Sequence, residues 1–461
     1  MPARESRFAL FAENRRMNRN SAFGFPLQCA LTVNDKWQQS ATGKQSVSNE
    51  RETTEWFSES SDFRQTASTA LANSDGQTLS SVKRISQIPP EDLFRLTQHL
   101  PSPTLICDTA EIDINVERIR ASFPETRLCY AVKCNPHRRI LQHLQSQSVG
   151  FEIASAGELD LLLSEGVPAD QLVCFHTIKP CGFIRQLHES GVQVMAADSL
   201  DEIRKIAIHA PGARVMIRLD TGTIHSRLLL SGKFGCSPDM TVALLNAVRE
   251  CGLQPEGITI HVGSQCEQLS DWERAVDRCI EVARAAAAIG IELRTVSLGG
   301  GLPVEYTHSV PSLPSIGKII ARLRSPEGIP ACRFMIEPGR AIVASAGVLL
   351  TRVIGVAERD GLRWVYLDAG VYHGLMEKLK LAGGFVLPVR CQDPVRPVVR
   401  CILAGPTCDS IDVFPGVYEL PDVREGDRLL FQVAGAYSTS IATSFNGYPA
   451  PVTILLSDLV S

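Results

Sequence analysis

The sequence predicts an α/β protein in which a TIM-type (β/α)8 barrel at residues 115–345 precedes an all-β C-terminal domain at residues 346–461. Two observations support this fold class. Strand-like and helix-like segments alternate eight times across the first region, which is typical of a closed barrel. Beyond it, short strand-like segments separated by turns replace the alternation. A doubly wound open sheet is the alternative for the first region, but such sheets typically have fewer strands.

Apolar runs predict the eight barrel strands. They are Arg127–Lys133, Val149–Ala154, Gln171–His176, Val192–Ala197, Arg214–Leu219, Gly257–Val262, Leu293–Leu298 and Cys332–Glu337. Segments with helical apolar spacing separate them, for example Gly157–Ser164, Leu200–His209, Met240–Cys251 and Trp272–Ile289. The strands predicted for the second region are Val348–Val356, Leu362–Asp368, Val398–Leu403, Arg428–Val433 and Ala450–Leu456.

Residues 1–85 differ in composition from the rest of the chain. They are rich in Ser, Asn, Gln, Thr and Arg and have few sustained apolar patterns, which predicts a disordered N-terminal extension. Arginines near the start are also typical of organelle transit peptides. Glu5 and Glu13 count against that interpretation, because transit peptides are poor in acidic residues. A dispensable tail or a wrongly assigned start is the favoured interpretation.

Composition excludes several classes of partner. The chain has 461 residues, enough for two or three domains, and its net charge of -4 favours neither nucleic acid nor an anionic membrane. No apolar run approaches the length of a bilayer span. The 14 cysteines are scattered without paired CxxC clusters, so neither a metal site nor a disulfide framework is predicted. Reduced thiols and a cytoplasmic setting are expected.

Lys133 is the first candidate site residue. It ends the predicted strand Arg127–Lys133, in which Cys129 and Ala131 share its face. Pro136 then suits the first turn of a helix. Active sites of barrels lie at the carboxyl ends of the strands, where a lysine amine can form a Schiff base with a carbonyl compound. On spacing alone, a surface lysine is the simpler interpretation.

The other predicted barrel strands also end near polar residues or glycine. The eight ends carry Lys133, Glu152, His176, Asp198, Arg218, His261, Gly299 and Glu337. Because the carboxyl ends of parallel strands meet at one mouth of a barrel, we expect these residues to form a polar cluster. Three of these have simpler interpretations when taken singly: His261 as a core histidine, Gly299 as part of a tight turn, and Glu337 as a strand-end residue that caps a loop or pairs with Arg340.

Seven motifs follow one another along the chain. They are Tyr130–Pro136, Gly150–Ser155, His261–Ser264, Gly299–Gly301, Glu337–Arg340, Gly405–Ser410 and Phe445–Gly447. In this order they resemble the pyridoxal-phosphate-dependent decarboxylases of ornithine, lysine and diaminopimelate, a family with the alanine-racemase-like fold, and among these the bacterial-type ornithine decarboxylases. The resemblance covers about residues 100–461. It implies that the segment 86–114, which leads into the fold, contributes a strand at Thr104–Asp108 to the β-domain.

The resemblance implies that pyridoxal 5′-phosphate (PLP) is the cofactor. Lys133 would hold it covalently, Glu337 would pair with its pyridine nitrogen, and His261 would stack on its ring. The remaining cofactor-binding candidates are Glu152, Arg218 near the pyridine edge, and, around the phosphate, Ser264, Gly299, Gly300, Gly301, Gly339, Arg340 and Tyr437. Glu152 stands where this family commonly has an aspartate.

The family resemblance further implies that Cys408 and Asp409 complete the site from the neighbouring subunit of a homodimer. Cys408 would protonate Cα after CO2 has left, and Asp409 would bind the distal ammonium group of the substrate. The other substrate-binding candidates are Asp368, Tyr372 and Phe445. Without the resemblance, Cys408 could be a small buried hydrophobe and Asp409 an ordinary turn residue.

The expected activity is the decarboxylation of L-ornithine to putrescine and CO2, a reaction of polyamine biosynthesis. A decarboxylase of lysine, diaminopimelate or another diamino acid is the alternative within this class, since one methylene is worth only about 1–3 kcal/mol of discrimination. A catalytically inactive regulatory homologue and a racemase are alternatives from other classes. The presence of Lys133, Glu337, Cys408 and Asp409 counts against the inactive homologue. A racemase would need a second base on the opposite face of the ring and would lack the Cys-Asp pair.

Overall fold

The computed structural model describes residues 84–228, 232–379 and 384–460. Its strands are β1 (Thr104–Cys107), β2 (Thr126–Ala131), β3 (Gly150–Glu152), β4 (Leu172–Val173), β5 (Val194–Ala197), β6 (Arg214–Arg218), β7 (Ser226–Leu228), β8 (Gln254–Thr259), β9 (Ser264–Cys266), β10 (Thr295–Ser297), β11 (Arg333–Ile336), β12 (Gly347–Arg359), β13 (Leu362–Leu367), β14 (Val389–Cys391), β15 (Val398–Ala404), β16 (Tyr418–Pro421), β17 (Arg428–Phe431) and β18 (Val452–Leu455). Its helices are α1 (Pro90–Leu96), α2 (Thr109–Ser122), α3 (Arg138–Ser146), α4 (Ala156–Ser164), α5 (Cys181–Glu189), α6 (Leu200–His209), α7 (Pro238–Glu250), α8 (Leu269–Ala288), α9 (Leu313–Ile320), α10 (Arg340–Val343) and α11 (Ser457–Val460).

Eight parallel strands form the barrel. They are hydrogen-bonded in the order β4-β3-β2-β11-β10-β8-β6-β5, and a parallel bridge between Cys174 and Met195 joins the two ends of this order. The sheet is therefore closed, which confirms the predicted barrel and rules out the open doubly wound sheet. Every predicted barrel strand is present, although most are shorter than the apolar run that predicts them.

Side chains that point alternately to the two faces of each barrel strand form two separate apolar layers. Cys129, Val173 and Met335 belong to a small buried cluster drawn from inward-facing positions of the barrel strands. Tyr130 and Phe151 belong to the large core cluster that also contains helix residues. Because successive strand side chains point to opposite faces, the barrel interior and its helical coat are packed by alternate positions of the same strands.

The C-terminal strands form a second sheet, in the order β14-β17-β12-β13-β15-β16. Strand β1, which lies within the segment Thr104–Asp108, pairs antiparallel with β12 and parallel with β18. The prediction missed β14 and β16, which lie at the two ends of this strand order and have only three and four residues. Short edge strands bury little, so their sequences carry a weak apolar pattern.

The chain passes twice between the barrel and this sheet. Strand β1 leads directly into α2, and α10 leads from the last barrel strand into β12. Asn115 of α2 donates a hydrogen bond to the carbonyl of Ile342 in α10 at 2.9 Å. These crossings place the start of the β-domain beside the carboxyl end of the barrel, where α10 begins. Within the described residues, no helix combines the length and apolarity that crossing a bilayer requires.

The described residues begin one position before Ile85, which belongs to the fold. Ile85 is buried and its backbone N–H donates to the Asp108 carboxylate at 2.7 Å. The prediction of disorder for residues 1–83 falls outside the described residues.

Removal of residues 1–83 is expected to leave turnover nearly unchanged, because this segment lacks the apolar periodicity that would offset the entropy cost of ordering it. The measurement compares soluble yield and turnover of the full chain with those of a chain that begins at Arg84. A truncation that also removes Ile85 serves as the control and is expected to be less stable. Loss of turnover in the chain that begins at Arg84 would contradict the prediction.

Candidate active site

A cavity of about 250 Å³ lies at the carboxyl ends of the barrel strands, beside the β-domain. Nine residues predicted from the sequence line it: Lys133, His261, Ser264, Gly300, Gly301, Glu337, Gly339, Arg340 and Tyr437. The fold therefore brings together residues that are more than 300 positions apart in the chain.

Lys133 projects into this cavity from a 3₁₀ turn, Val132–Cys134, that follows β2 directly. The strand thus ends two residues before the predicted end, and α3 begins at Arg138 instead of at Pro136. The Lys133 amine lies 2.5 Å from the Glu152 carboxylate, and 47% of the lysine side chain is exposed to the cavity. Burial lowers the pKa of this amine, but the charge and hydrogen bond of Glu152, together with the charges of Tyr437 and Glu337, outweigh burial and raise that pKa above its ordinary value.

Glu337 lies just beyond the end of β11, and its carboxylate accepts a hydrogen bond from the Ser297 hydroxyl. Burial, the largest cause, and the neighbouring charge of Glu152 together raise the pKa of the Glu337 carboxyl to about 7, although Ser297 and Lys133 act in the opposite direction. The alternative in which Glu337 pairs with Arg340 is wrong, because Arg340 pairs with Glu377. A cationic N–H group brought against Glu337 would stabilise its charged form.

His261 presents a neutral ring to the cavity. Its Nδ1 accepts a hydrogen bond from the Gly263 backbone N–H at 2.9 Å, so Nε2 carries the proton. Burial lowers the pKa of this imidazole well below its ordinary value, and the charge of Arg218 lowers it further. Arg218 itself ends β6, and its guanidinium lies 5.5 Å from the centre of the Phe234 ring.

Steric crowding explains why glycine occupies the run after β10 and position 339. Gly301 has a φ of 96°, and a Cβ on it would lie 2.3 Å from the Gly263 carbonyl oxygen. A Cβ on Gly339 would lie 2.8 Å from the Cβ of Cys134. A side chain at either position would collide with its neighbours, so the backbone stays bare and its N–H groups can approach an anion closely.

Arg340 is the cationic residue beside these glycines in the cavity. Its Nη2 lies 3.4 Å from the Ser264 hydroxyl, and the Tyr437 ring lies 5.0 Å from its Cζ. Within the described residues, Arg340 Nε is buried and has no hydrogen-bond partner. A buried donor without a partner beside bare glycine backbone suits an anionic group in the cavity.

Cys408 and Asp409 lie outside this cavity, in an exposed cluster of the β-domain. The Cys408 thiol donates to Asn446 Oδ1 at 3.3 Å, and the Tyr372 hydroxyl donates to Asp409 Oδ2 at 2.5 Å. The Phe445 ring centre lies 4.6 Å from that of Tyr372. A single chain therefore brings these four predicted residues together, but not with Lys133.

Asp368 belongs to neither group. Its carboxylate accepts a hydrogen bond from the Arg352 backbone N–H at 2.9 Å, next to the β12–β13 pair. This contact gives Asp368 a structural role in the sheet, and its substrate-binding role stays a prediction.

Sequence reasoning missed two residues of these sites. Glu377 binds Arg340, and nothing in the local sequence of Glu377 indicates it. Asn446 holds the Cys408 thiol and backbone N–H, and it could have been found because it lies within the Phe445–Gly447 motif.

Comparison with known proteins establishes the family. The family model described as the pyridoxal-binding domain of pyridoxal-dependent decarboxylases matches residues 109–344. The chain belongs to this family. It is 29% identical to the lysine/ornithine decarboxylase of Selenomonas ruminantium over 379 residues, which cover 81% of this chain and 94% of that protein. It is 32% identical to the ornithine decarboxylase of Schizosaccharomyces pombe over 346 residues, which cover 72% of this chain and 78% of that protein.

A solved structure supports the same relationship. The lysine/ornithine decarboxylase of Vibrio vulnificus, complexed with cadaverine, superposes with a TM-score of 0.74 at 30% identity, covering 80% of this chain and 99% of that one. The chain is thus a PLP-dependent amino-acid decarboxylase with the barrel and β-domain of its family. Three features fit the cofactor: the half-exposed Lys133 side chain, the bare glycine run, and the buried Arg340 Nε, which has no hydrogen-bond partner in the part of the chain that the structure describes.

Proposed function

We propose that this decarboxylase converts L-ornithine to putrescine and CO2. The observation that carries the proposal is the Asp409 carboxylate, which is hydrogen-bonded to Tyr372 beside the Cys408 thiol. The Tyr372 hydroxyl holds the pKa of Asp409 below its ordinary value, so the group is an anion at neutral pH. An anion of this kind matches the distal ammonium group of a diamino acid.

The cavity residues have separate proposed roles in holding the cofactor. Lys133 would bind its carbonyl carbon, Glu337 would keep its ring nitrogen protonated, and His261 would lie against its ring. Its phosphate would be held by Ser264, Gly300, Gly301, Arg340 and Tyr437. When bound, PLP supplies the electron sink for the bond that breaks between Cα and the carboxylate.

Cys408 is the proposed acid of the second half of the reaction. After CO2 has left, its Sγ–H would donate a proton to Cα of the substrate. Asn446 Oδ1 accepts a hydrogen bond from this thiol at 3.3 Å, which fixes the position of Sγ.

We further propose a two-fold homodimer with shared sites. Support comes from the separation within one chain of Lys133 from the exposed pair Cys408 and Asp409. Ile411 and Phe445, close to that pair, are large exposed apolar residues, 54% and 42% exposed. A second copy that covered this surface would bury them and supply the thiol and the carboxylate to its neighbour's cavity.

Substrate choice among diamino acids is the finer part of the proposal. Diaminopimelate has a carboxylate at its distal end, which Asp409 would repel, so a free distal amine is favoured. Lysine is longer than ornithine by one methylene, worth about 1–3 kcal/mol, so a preference of roughly 10- to 200-fold is the most that the pocket is expected to give.

A panel of substrates tests the proposal. The purified protein is incubated with PLP and, separately, with L-ornithine, L-lysine and meso-diaminopimelate, and the amine products are identified by mass. We expect putrescine to form with the highest kcat/KM and cadaverine to form more slowly. Asp409→Asn is expected to raise KM for both L-ornithine and L-lysine. Asp458→Asn, which changes an exposed aspartate elsewhere in the chain, is the matched control. Turnover of diaminopimelate alone would contradict the proposal, and no turnover of any amino acid would support the inactive homologue.

A further inference from the structure

Glu377 forms a two-point ion pair with Arg340 at the edge of the cavity. Its Oε2 lies 2.9 Å from Nη1 of the guanidinium, and its Oε1 lies 2.5 Å from Nη2. Both side chains are largely buried, with 5% of Arg340 and 16% of Glu377 exposed. Ion pairs with this fork geometry fix the plane of the guanidinium as well as its position.

Three further groups confine the same guanidinium. Nη1 also donates to the Tyr306 hydroxyl at 2.7 Å. The Phe385 and Tyr437 rings lie 4.4 and 5.0 Å from Cζ. A guanidinium has two edges that can bind an oxyanion with two donors: the end formed by Nη1 and Nη2, and the side formed by Nε and one Nη. Glu377 occupies the end, while Nε, on the side, is the buried donor that lacks a partner within the described residues.

The turn that carries Glu377 is anchored in the β-domain. It is a 3₁₀ turn, Met376–Lys378, and the Glu377 carbonyl accepts a hydrogen bond from the Phe385 N–H at 3.0 Å. Next to it, Lys378 is buried with its amine 5.0 Å from the centre of the Phe431 ring and 5.3 Å from that of Phe414. A buried side chain among aromatic rings holds the backbone of the turn, so the Glu377 carboxylate is not free to follow a moving arginine.

We infer that Glu377 is a positioning residue that holds Arg340 with its Nε edge turned toward the phosphate of PLP. The inference rests on the proposed placement of the phosphate at Arg340. A carboxylate near a phosphate would ordinarily weaken binding by repulsion. Here the carboxylate takes the opposite edge of the guanidinium and leaves the other edge in place for the phosphate, so the orientation it imposes outweighs the repulsion.

The test compares PLP with pyridoxal, which has the same ring and aldehyde but no phosphate. The full-length protein is freed of cofactor by dialysis, and the dissociation constants of both compounds are measured by absorbance titration. Glu377→Gln keeps the shape of the side chain but removes its charge and one of its two acceptors. The dissociation constant of PLP is expected to rise about tenfold or more, the scale of one charge-assisted hydrogen bond, while that of pyridoxal changes less than about twofold.

Glu358→Gln is the matched control, because Glu358 pairs with Arg363 on the exposed part of the β-domain and is 66% exposed. It is expected to leave both dissociation constants unchanged. An equal loss of affinity for PLP and pyridoxal in Glu377→Gln would show that Glu377 only supports the fold. Tighter binding of PLP would show that Glu377 competes with the phosphate. Either result overturns the inference.

Arg340→Ala separates this inference from the placement on which it rests. If Arg340→Ala weakens PLP selectively and Glu377→Gln does not, Arg340 binds the phosphate without help from Glu377, and the inference alone fails. If Arg340→Ala leaves the ratio of the two dissociation constants unchanged, the phosphate does not lie at Arg340, and the proposed placement fails with it.

Discussion

Lys133→Ala is expected to abolish decarboxylation, with a loss of about 10³-fold or more in kcat, and to remove the visible absorbance of the lysine-bound cofactor. The reason is that the Lys133 amine is the half-exposed amine that lines the cavity, 2.5 Å from Glu152 and beside His261 and Glu337. Losses of this size are typical when the group that carries covalent catalysis is removed. The measurements are single-turnover kinetics, absorbance spectra, and the mass of the peptide that borohydride links to the cofactor.

Two variants make the Lys133 result specific. Lys133→Arg keeps a cation beside Glu152 but is not a useful nucleophile, so it is expected to be as inactive as Lys133→Ala. Lys205→Ala removes a lysine that pairs with Glu202 outside the cavity, at 2.6 Å, and is expected to retain full turnover. A cofactor label on any peptide other than the one containing Lys133 would refute the assignment.

Mixing two inactive variants, Lys133→Ala and Cys408→Ala, is expected to restore roughly a quarter of wild-type activity. In a mixed dimer of the proposed kind, one site receives both lesions and the other receives neither. Random reassortment makes about half of the dimers mixed, and one of their two sites is intact, which gives the quarter. The physical basis is that Lys133 lines the cavity while Cys408 lies exposed on the β-domain of the same chain.

The measurement is decarboxylase activity after unfolding and refolding of the two variants together, with subunit exchange followed by mass. The double variant Lys133→Ala/Cys408→Ala, treated in the same way, is expected to stay inactive. If exchange is complete and the mixed single variants show no activity, each site is built within one chain, and the proposal of shared sites is wrong.

The barrel could be predicted because its strands are buried on both faces. Each strand appears in the sequence as a continuous apolar run, and each intervening helix appears as a segment with apolar residues at helical spacing, as in Leu200–His209, whose predicted bounds agree with the structure. The edge strands β14 and β16 and the two-stranded pair β7–β9 escaped prediction. They are short and only partly buried, so pairing partners that are distant in the chain define them more than local pattern does.

The candidate site was predictable where a residue type has few other uses at its position. The local sequence indicates a lysine that follows an inward-facing small residue, and glycines at positions where a Cβ would collide with backbone. The local sequence does not indicate Glu377, because a glutamate in a turn is common and its role depends on a partner that is distant in the chain. Asp368 is the converse case: the sequence predicts it as a substrate-binding residue, and only the structure shows that its carboxylate binds the Arg352 backbone.

The sequence by itself determined the closed barrel, the β-domain, the family and most of the residues that line the cavity, because alternation, helical spacing and ordered motifs are local properties of the chain. The tertiary structure alone decided which charged groups meet. Lys133 pairs with Glu152, Arg340 pairs with Glu377 instead of Glu337, and Cys408 lies outside the cavity of its own chain. Charge pairing depends on distances of a few ångströms between residues of different elements, and only the pairing of neighbouring barrel strands and the packing of the barrel against the β-domain set those distances.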